Sequence, residues 1–263
     1  VGSSALKVAI NGASGRMGIR LIQLIQEDDA LCLAAATDRV DHPRLGEDAG
    51  LLCGLGELGV PLSAELSGPV DVAIDFSLPA GALRMASACA EQKVPLVVGT
   101  TGFDPEQRKQ LEALASRIPL LISPNLSRAV NLLMRLAGEA ARALGDSADI
   151  EIVERHHHFK KDAPSGTALR LAEIVGDAVG VSRFVHGREG VVGERPRAEI
   201  GLHALRTGDN PGEHTVVFGL MGECLELSHR ALNRDGFALG ALDAAKFLAG
   251  KPARLYTMAD LLG

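Results

Sequence analysis

The residues best suited to chemistry lie close together: His156, His157, His158, Lys160 and Lys161, five basic or titratable groups within six positions. They belong to the stretch EIVERHHHFKKDAPSGTA, residues 151–168. A histidine titrates near neutral pH and can give or take a proton. A lysine can hold an anion, or act as an acid if its pKa is lowered. Just downstream, Ser165, Gly166 and Thr167 open a segment, ALRLAEIVGDAV, whose apolar residues have helical spacing. A helix start there offers free backbone N–H groups and the positive end of the helix dipole, which suits a carboxylate or phosphate. Together these groups point to a small anionic substrate that is protonated during reaction. A three-histidine metal site is disfavoured, because consecutive strand residues face alternate sides and cannot converge on one ion. A solvated basic loop capped by Ser165 would use the same residues, and this stretch alone fits both.

These groups need elements to hold them. Ile150, Ile152 and Val153 predict a strand that stops where the histidines begin, and in open α/β folds ligands bind beyond strand ends. A second such junction lies near the start of the chain. LKVAIN (6–11) predicts a buried strand, Gly12-Ala13-Ser14-Gly15-Arg16-Met17-Gly18 a glycine turn, and IRLIQLIQ a helix. Strand, glycine turn and helix form the context of a dinucleotide-binding fingerprint, in which a pyrophosphate sits on the helix N-terminus. The spacing is GxxGxxG rather than GxGxxG, so the argument rests on that context. LCLAAATD ends at Asp38, twenty positions past Gly18, where an acid can accept from a ribose diol. Arg39 beside it can pair with a 2′-phosphate. The alternative is a turn whose glycines serve packing alone, next to a solvated Asp-Arg pair.

The alternation continues. DVAIDFS (71–77) predicts a strand and AGALRMASACAEQ a helix, followed by the strand VPLVVGTTGF (94–103). Asp104 and Pro105 then cap and start a helix running to about Ser116, and PLLISPN is a strand ending at Asn125. This β-α-β-α-β order predicts a doubly wound parallel sheet, with Ser77, Gly99 to Thr101 and Ser123 to Asn125 on one carboxyl edge. Residues 41–69, with His42-Pro43, five glycines from Gly46 to Gly59, and Pro61, read as an irregular excursion without assigned function. Ser127 is placed to cap a long helix, AVNLLMRLAGEAARAL. Beyond the basic stretch, AEIGLHALRTG, EHTVVFGLMG and ECLELSHRAL are strand-like and do not alternate with helices. FALGALDAAKFLAG is a last helix, and LYTMADLLG a tail returning to the first domain. The expected fold is therefore α/β: an N-terminal Rossmann-like doubly wound sheet over 1–125, completed by 235–263, and a C-terminal α+β domain with a mixed sheet over 126–234.

Composition narrows the function. A chain of 263 residues, 46% hydrophobic, has ample material for a core. Net charge −6 and 3% aromatics without tryptophan argue against a nucleic-acid surface. Cys32, Cys53, Cys89 and Cys224 are far apart and form no CxxC pair, which disfavours structural zinc and disulfides and fits a reducing cytoplasm. No apolar run reaches membrane-spanning length, and no signal-peptide core precedes the first strand. Neither a membrane partner nor a resident metal is expected.

The signature Glu151, Ile152, Glu154, His156, Lys160, Asp162, Pro164, Ser165, Gly166, Thr167 and Ala168 resembles that of the 4-hydroxy-tetrahydrodipicolinate (dihydrodipicolinate) reductases of diaminopimelate and lysine synthesis. The similarity extends to VAINGASGRMG, VAIDFS, VVGTTGF, SPNLS, GEHTVVF and SHRALNRDGFALGAL. The resemblance implies NADH- or NADPH-dependent reduction of a cyclic imine with two carboxylates. It implies His156 as catalytic acid and Lys160 as its partner. Substrate binding would fall to His157, Ser165, Gly166, Thr167 and Thr101. Cofactor binding would fall to Gly12, Ala13, Ser14, Gly15, Arg16 and Met17, to Asp38 and Arg39, to Phe76, to Gly99, Thr100 and Thr101, and to Ser123, Pro124, Asn125 and Leu126. It also implies a homotetramer built through the second domain. The sequence departs modestly: His158 and Phe159 fill variable positions, Asp38 stands where some members have glutamate, and Leu126 where many have an aromatic. A same-fold reductase of another imine or oxo acid, and a non-catalytic NAD(P)-binding sensor, are the alternative readings.

Overall fold

The computed structural model describes residues 5–263. The chain forms two compact units, one made of the segment up to Arg128 together with Asp235–Gly263, the other of Ala129–Arg234. The first begins with β1 (Leu6–Asn11), α1 (Arg16–Gln26), β2 (Leu31–Thr37), a short α2 (Ala49–Leu52) and a two-residue β3 (Leu62–Ser63). It continues with β4 (Val72–Asp75), α3 (Pro79–Gln92), β5 (Leu96–Val98), α4 (Pro105–Ala113) and β6 (Pro119–Ile122).

The second unit holds α5 (Arg128–Leu144, of which Arg128 belongs to the first unit), β7 (Asp149–His156), α6 (Gly166–Val179) and β8 (Phe184–His186). Its remaining strands are β9 (Ile200–Arg206), β10 (Glu213–Leu220) and β11 (Glu223–Arg230). The chain then supplies α7 (Asp235–Leu248), β12 (Arg254–Tyr256) and α8 (Met258–Leu262) to the first unit.

The first unit is a seven-stranded parallel sheet in the order β12-β6-β5-β4-β1-β2-β3. Its strands are apolar on both faces, and successive residues divide between two cores as the period-two geometry requires. Val8, Ile10, Ile74, Val97 and Leu121 pack with α1 and α7, while Ala9, Ala73, Leu96, Val98 and Leu120 pack with α3 and Leu111 of α4. Helices on both faces make the sheet doubly wound, as the alternation of elements predicts. Asp104 accepts from the Gln107 N–H in a capping box with Pro105 at the first turn, which starts α4 where expected. β5 is shorter than VPLVVGTTGF predicts. It ends at Val98, and residues 99–104 are loop.

The second unit is a mixed five-stranded sheet, β11-β10-β7-β9-β8. β11, β10 and β7 are antiparallel neighbours, whereas β9 runs parallel to both β7 and β8. One face carries Ile150, Ile152, Ile200, Leu202, Val216 and Phe218 against Leu133, Ala137 and Ala141 of α5 and Leu171, Ala172 and Val175 of α6. No helix of the described residues is long and apolar enough to cross a membrane.

Candidate active site

The basic stretch is built around β7. Its period-two pattern puts Ile150, Ile152, Glu154 and His156 on the buried face. Glu154 is 1% exposed, and both its oxygens are filled. Oε2 pairs with His156 Nδ1 at 2.6 Å and accepts from Arg206 Nη1 at 2.8 Å. Oε1 accepts from Arg206 Nη2 at 2.8 Å and from the Ser165 backbone N–H at 3.1 Å. The parallel register of β7 and β9 sets His156 level with Arg206, which explains how a residue so far along the chain reaches Glu154. Burial alone would raise the Glu154 carboxyl, but Arg206 and His156 hold it below the usual carboxylate range. Burial pushes His156 below the ordinary imidazole value, aided by the positive Lys160 and Arg206 and opposed by Glu154.

With Nδ1 engaged, His156 presents Nε2. A side chain at Gly212 would place its Cβ 3.0 Å from that nitrogen, so the glycine leaves it room. His214 of β10 stands edge-on to His156, ring centroids 5.2 Å apart, with its Nε2 3.1 Å from Ser165 Oγ. Burial carries His214 down to about 3, so it is neutral at working pH. Ser165 Oγ accepts from the Ala168 N–H and thereby caps α6. Gly166 and Thr167 form the first positions of that helix, at the positive end of its dipole. Lys160 Nζ donates to Asp162 Oδ1 at 2.8 Å. His157 is half-buried and His158 exposed; both lie beyond the end of β7, in a turn. Among the described residues no cluster fit for a metal ion occurs.

The glycine turn of the first unit is close-packed. Gly12 has φ +77°, and a Cβ there would lie 2.5 Å from the Phe76 carbonyl oxygen. At Gly18 a Cβ would lie 2.2 Å from the Gly12 carbonyl oxygen, so α1 seats directly on the turn. The Gly12 and buried Ala13 N–H groups both donate to the Thr37 carbonyl, at 2.9 and 3.0 Å. Gly15 caps α1 without a side-chain hydrogen bond, and no acid occupies the first turn. The free N–H groups there, beside exposed Arg16, match the donor set a pyrophosphate needs. Met17 packs partly into the core.

Asp38 follows β2. Its Oδ2 accepts from Ser14 Oγ at 2.6 Å and Ser14 N at 3.1 Å, and its Oδ1 from Arg39 N at 2.8 Å. Burial opposes its ionisation, but these bonds outweigh burial and hold the carboxyl below its ordinary value. The Arg39 side chain is exposed, its Nε 3.5 Å from Asp41.

Further along the same edge, the Phe76 ring lies against Gly99, where a Cβ would meet Cε1 at 2.5 Å. Asp75 is fully buried and accepts from Asn11 Nδ2 at 2.6 Å, Ser77 Oγ at 2.6 Å and Thr100 Oγ1 at 2.5 Å. Thr101 is exposed. Ser123 Oγ donates to the Asn125 carbonyl at 2.7 Å, and Pro124 is exposed beside them. Leu126, by contrast, is buried in the core, and its backbone carbonyl lies against α7, where a Cβ on Gly240 would approach the oxygen to 1.8 Å.

Sequence reasoning passed over Asp75, Asn11, Arg206 and His214, and it gave Glu154 no role beyond the signature. Counting by twos along β7 from Ile150 would have placed Glu154 and His156 together on the buried face.

A doubly wound sheet with an open glycine-rich helix start, and a mixed-sheet unit bearing a carboxylate-paired histidine, define a reductase of the dinucleotide-binding class. Sequence comparison narrows the class. The family model described as dihydrodipicolinate reductase, N-terminus, matches residues 6–126, and that described as dihydrodipicolinate reductase, C-terminus, matches residues 129–262. The chain is 49% identical to a 4-hydroxy-tetrahydrodipicolinate reductase of Syntrophotalea carbinolica, over 98% of this chain and 99% of the relative. It is 48% identical to one from Anaeromyxobacter sp. strain Fw109-5, over 98% of each chain. The dipicolinate-bound dihydrodipicolinate reductase of Paenisporosarcina sp. TG-14 superposes with a TM-score of 0.79 at 26% identity, covering 96% of this chain and 97% of that one. The chain belongs to the dihydrodipicolinate reductase family.

Proposed function

We propose that the chain reduces 4-hydroxy-tetrahydrodipicolinate to tetrahydrodipicolinate, with loss of water, in diaminopimelate and lysine biosynthesis. The observation that carries this reading is the Glu154–His156 pair, with Lys160 nearby and the α6 N-terminus tied to the same carboxylate through Ser165. A cyclic imine with two carboxylates accounts for a local basic cluster on a chain of net charge −6.

Gly12 to Met17 would hold the pyrophosphate of NADH or NADPH and Asp38 the ribose, with Arg39 answering a 2′-phosphate. Gly99 to Thr101 and Ser123 to Leu126 would flank the nicotinamide, with Phe76 supporting Gly99. The reduced nicotinamide supplies a hydride. The 4-hydroxyl departs as water together with a hydrogen of the neighbouring ring carbon, leaving a double bond; one carbon of that bond takes the hydride and His156 Nε2 delivers a proton to the other. The Gly166 and Thr167 N–H groups bind one substrate carboxylate, with Ser165, His157 and Thr101 as further contacts. Lys160 exchanges Asp162 for the substrate and neutralises charge that develops on the ring.

Four free cysteines and the family resemblance support a cytoplasmic enzyme, and the resemblance supports a homotetramer. The test is a coupled assay that makes the substrate from pyruvate and aspartate semialdehyde with a synthase and follows loss of reduced-nicotinamide absorbance. Turnover with NADH or NADPH is expected. His156→Ala should lower kcat with dipicolinate binding retained, and Lys160→Ala should cost on the order of 10²-fold in rate. Absence of turnover with cofactor still bound would overturn the substrate assignment.

A further inference from the structure

We infer that Glu154 is a positioning residue for the reduction: it turns Nε2 of His156 toward the substrate and fixes that ring relative to the helix end that takes the substrate carboxylate. The inference rests on the reading of His156 as the acid.

The geometry assigns Glu154 this role through what fills its two oxygens. An imidazole can deliver a proton from either nitrogen, and the partner of one decides which nitrogen is left for chemistry. Nδ1 of His156 lies 2.6 Å from Glu154 Oε2, so a neutral His156 keeps its proton on Nδ1, and Nε2 is the atom that gains and loses the reacting one. The side facing Nε2 is the side that Gly212 leaves open. The second oxygen accepts from the Ser165 N–H at 3.1 Å, the residue that caps α6. One buried carboxylate thus sets both the ring that gives the proton and the helix start that holds the anion. A tilt of either would misplace the proton relative to the ring carbon, and small misplacements are costly in rate.

Arg206 completes the device. Its two guanidinium bonds, both 2.8 Å, hold the carboxylate from the β9 side and balance its charge. The charged and titratable groups facing His156 are therefore Glu154 from β7, Arg206 from β9, His214 from β10 and Lys160 from the loop, with Ser165 of α6 between Glu154 and His214. Glu154 alone favours the protonated ring, while Arg206 and Lys160 oppose it. A residue that merely fills space would leave the ring's proton affinity where it stands. Glu154 and Arg206 should move it in opposite directions.

The experiment compares pH profiles of kcat/KM for the wild type, His156→Ala, Glu154→Gln and Arg206→Gln in the coupled assay. It is joined by imidazole nitrogen NMR of the histidine-labelled chain, with the His156 signals assigned by their loss in His156→Gln. His156 acts when protonated, so activity falls on the alkaline side as the ring of the free enzyme loses its proton. Glu154→Gln should shift that alkaline limb about one pH unit or more toward acid, Arg206→Gln toward base. Glu154→Gln should also lower kcat about 10²-fold or more, with a smaller change in KM. The wild-type spectrum should show neutral His156 protonated on Nδ1. Limbs that stay in place or shift together, or a neutral ring protonated on Nε2, would overturn the inference. If Glu154→Gln fails to fold by circular dichroism, Arg206→Gln and the wild-type spectrum decide the question by the same outcomes. Wild-type turnover together with an undiminished rate in His156→Ala would instead overturn the underlying assignment of the acid.

Discussion

The hydroxyl of Ser14 donates to Asp38 Oδ2 at 2.6 Å, and the Ser14 backbone N–H reaches the same oxygen at 3.1 Å. The glycine turn and the end of β2 are thereby joined through one carboxylate. Among the described residues Oδ1 carries only the Arg39 N–H, and it keeps acceptor capacity for a ribose hydroxyl. A carboxylate so held disfavours a 2′-phosphate, whereas the exposed Arg39 guanidinium attracts one. Arg39→Ala should weaken NADPH about tenfold or more, the value of a charge-assisted hydrogen bond, and change NADH about twofold or less. Fluorescence titration with each cofactor measures this. Equal losses for both would show that Arg39 does not read the phosphate.

Asp75 collects donors from three strand ends: Asn11, Ser77 and Thr100. Asp75→Ala would remove the acceptor these donors share, leaving Asn11 and Ser77 their longer bonds to the Gly81 and Leu78 carbonyls, and should cost about 3 kcal/mol. Asp75→Asn keeps an acceptor for Asn11 and Ser77 and an amide for Thr100 Oγ1, so it should cost less than half as much. Urea unfolding at neutral pH ranks the two.

Comparing the wild type with Asp75→Asn exposes a pH dependence. Burial raises the Asp75 carboxyl above its ordinary value against the pull of Ser77, Thr100 and Asn11. The folded state thus favours the protonated form more than the unfolded chain does. The stability tied to this group is fully present below about pH 4 and is lost as pH rises through the folded value. Relative to Asp75→Asn, the wild type should lose ground as pH rises from about 4. A constant difference between their urea midpoints across that range would refute it.

Gly99 leaves space that the Phe76 ring occupies. Gly99→Ala should displace that ring and cost about 1–3 kcal/mol, as overpacking does. Both strand ends would move, so NADH and NADPH affinities should fall together, unlike in Arg39→Ala. Thermal unfolding and cofactor titration on one preparation test both parts.

On the second unit, Glu151 gathers the segment between β8 and β9. It accepts from Arg188, Arg195 and His203, and a Cβ on Gly201 would lie 1.7 Å from its Oε2. Burial opposes ionisation, yet these partners carry the carboxyl down to about 2. Its contribution to stability is therefore present above the ordinary glutamate value, about 4.3, and disappears as pH falls toward about 2. Glu151→Gln should free the segment and speed tryptic cleavage after Arg188 and Arg197 severalfold, with far-ultraviolet circular dichroism unchanged. Unaltered cleavage rates would show that the segment is held by other means.

The first unit was legible wherever local pattern decided the outcome. Asp104 and Pro105 start α4 where capping chemistry places them. LKVAIN is β1, and LCLAAATD is β2 except that the strand stops at Thr37, one residue before Asp38. Elements escaped notice where they are short and depend on neighbours: β3 has two residues and exists through pairing with β2, and β8 has three and exists through pairing with β9. VPLVVGTTGF read as one strand because threonine and phenylalanine favour strands, yet the chain leaves the sheet at Gly99. Within the candidate site, His156 and Lys160 stood out by residue type. Arg206 did not, since its meaning lies in a register with β7 that only tertiary structure sets. Asp75 was hidden for a related reason: a charged residue closing an apolar strand looks solvent-facing until its three donors are in place.

The edge strand β12 and the core helix α7 come from the far end of the chain, yet Ala241, Leu248, Tyr256 and Met258 share a core with Val8 and Ile10. The ribosome therefore makes the opening strands long before the residues that cover them. Every strand of the mixed sheet, by contrast, lies within one uninterrupted span and is complete earlier in synthesis. The strands made before the second unit are enclosed only after it, and their apolar face waits through the making of that entire unit, the interval in which nascent chains depend on chaperones. A stop codon just before Arg254 would remove β12, α8 and the core residues Tyr256 and Met258 from a unit whose other strands are encoded well upstream.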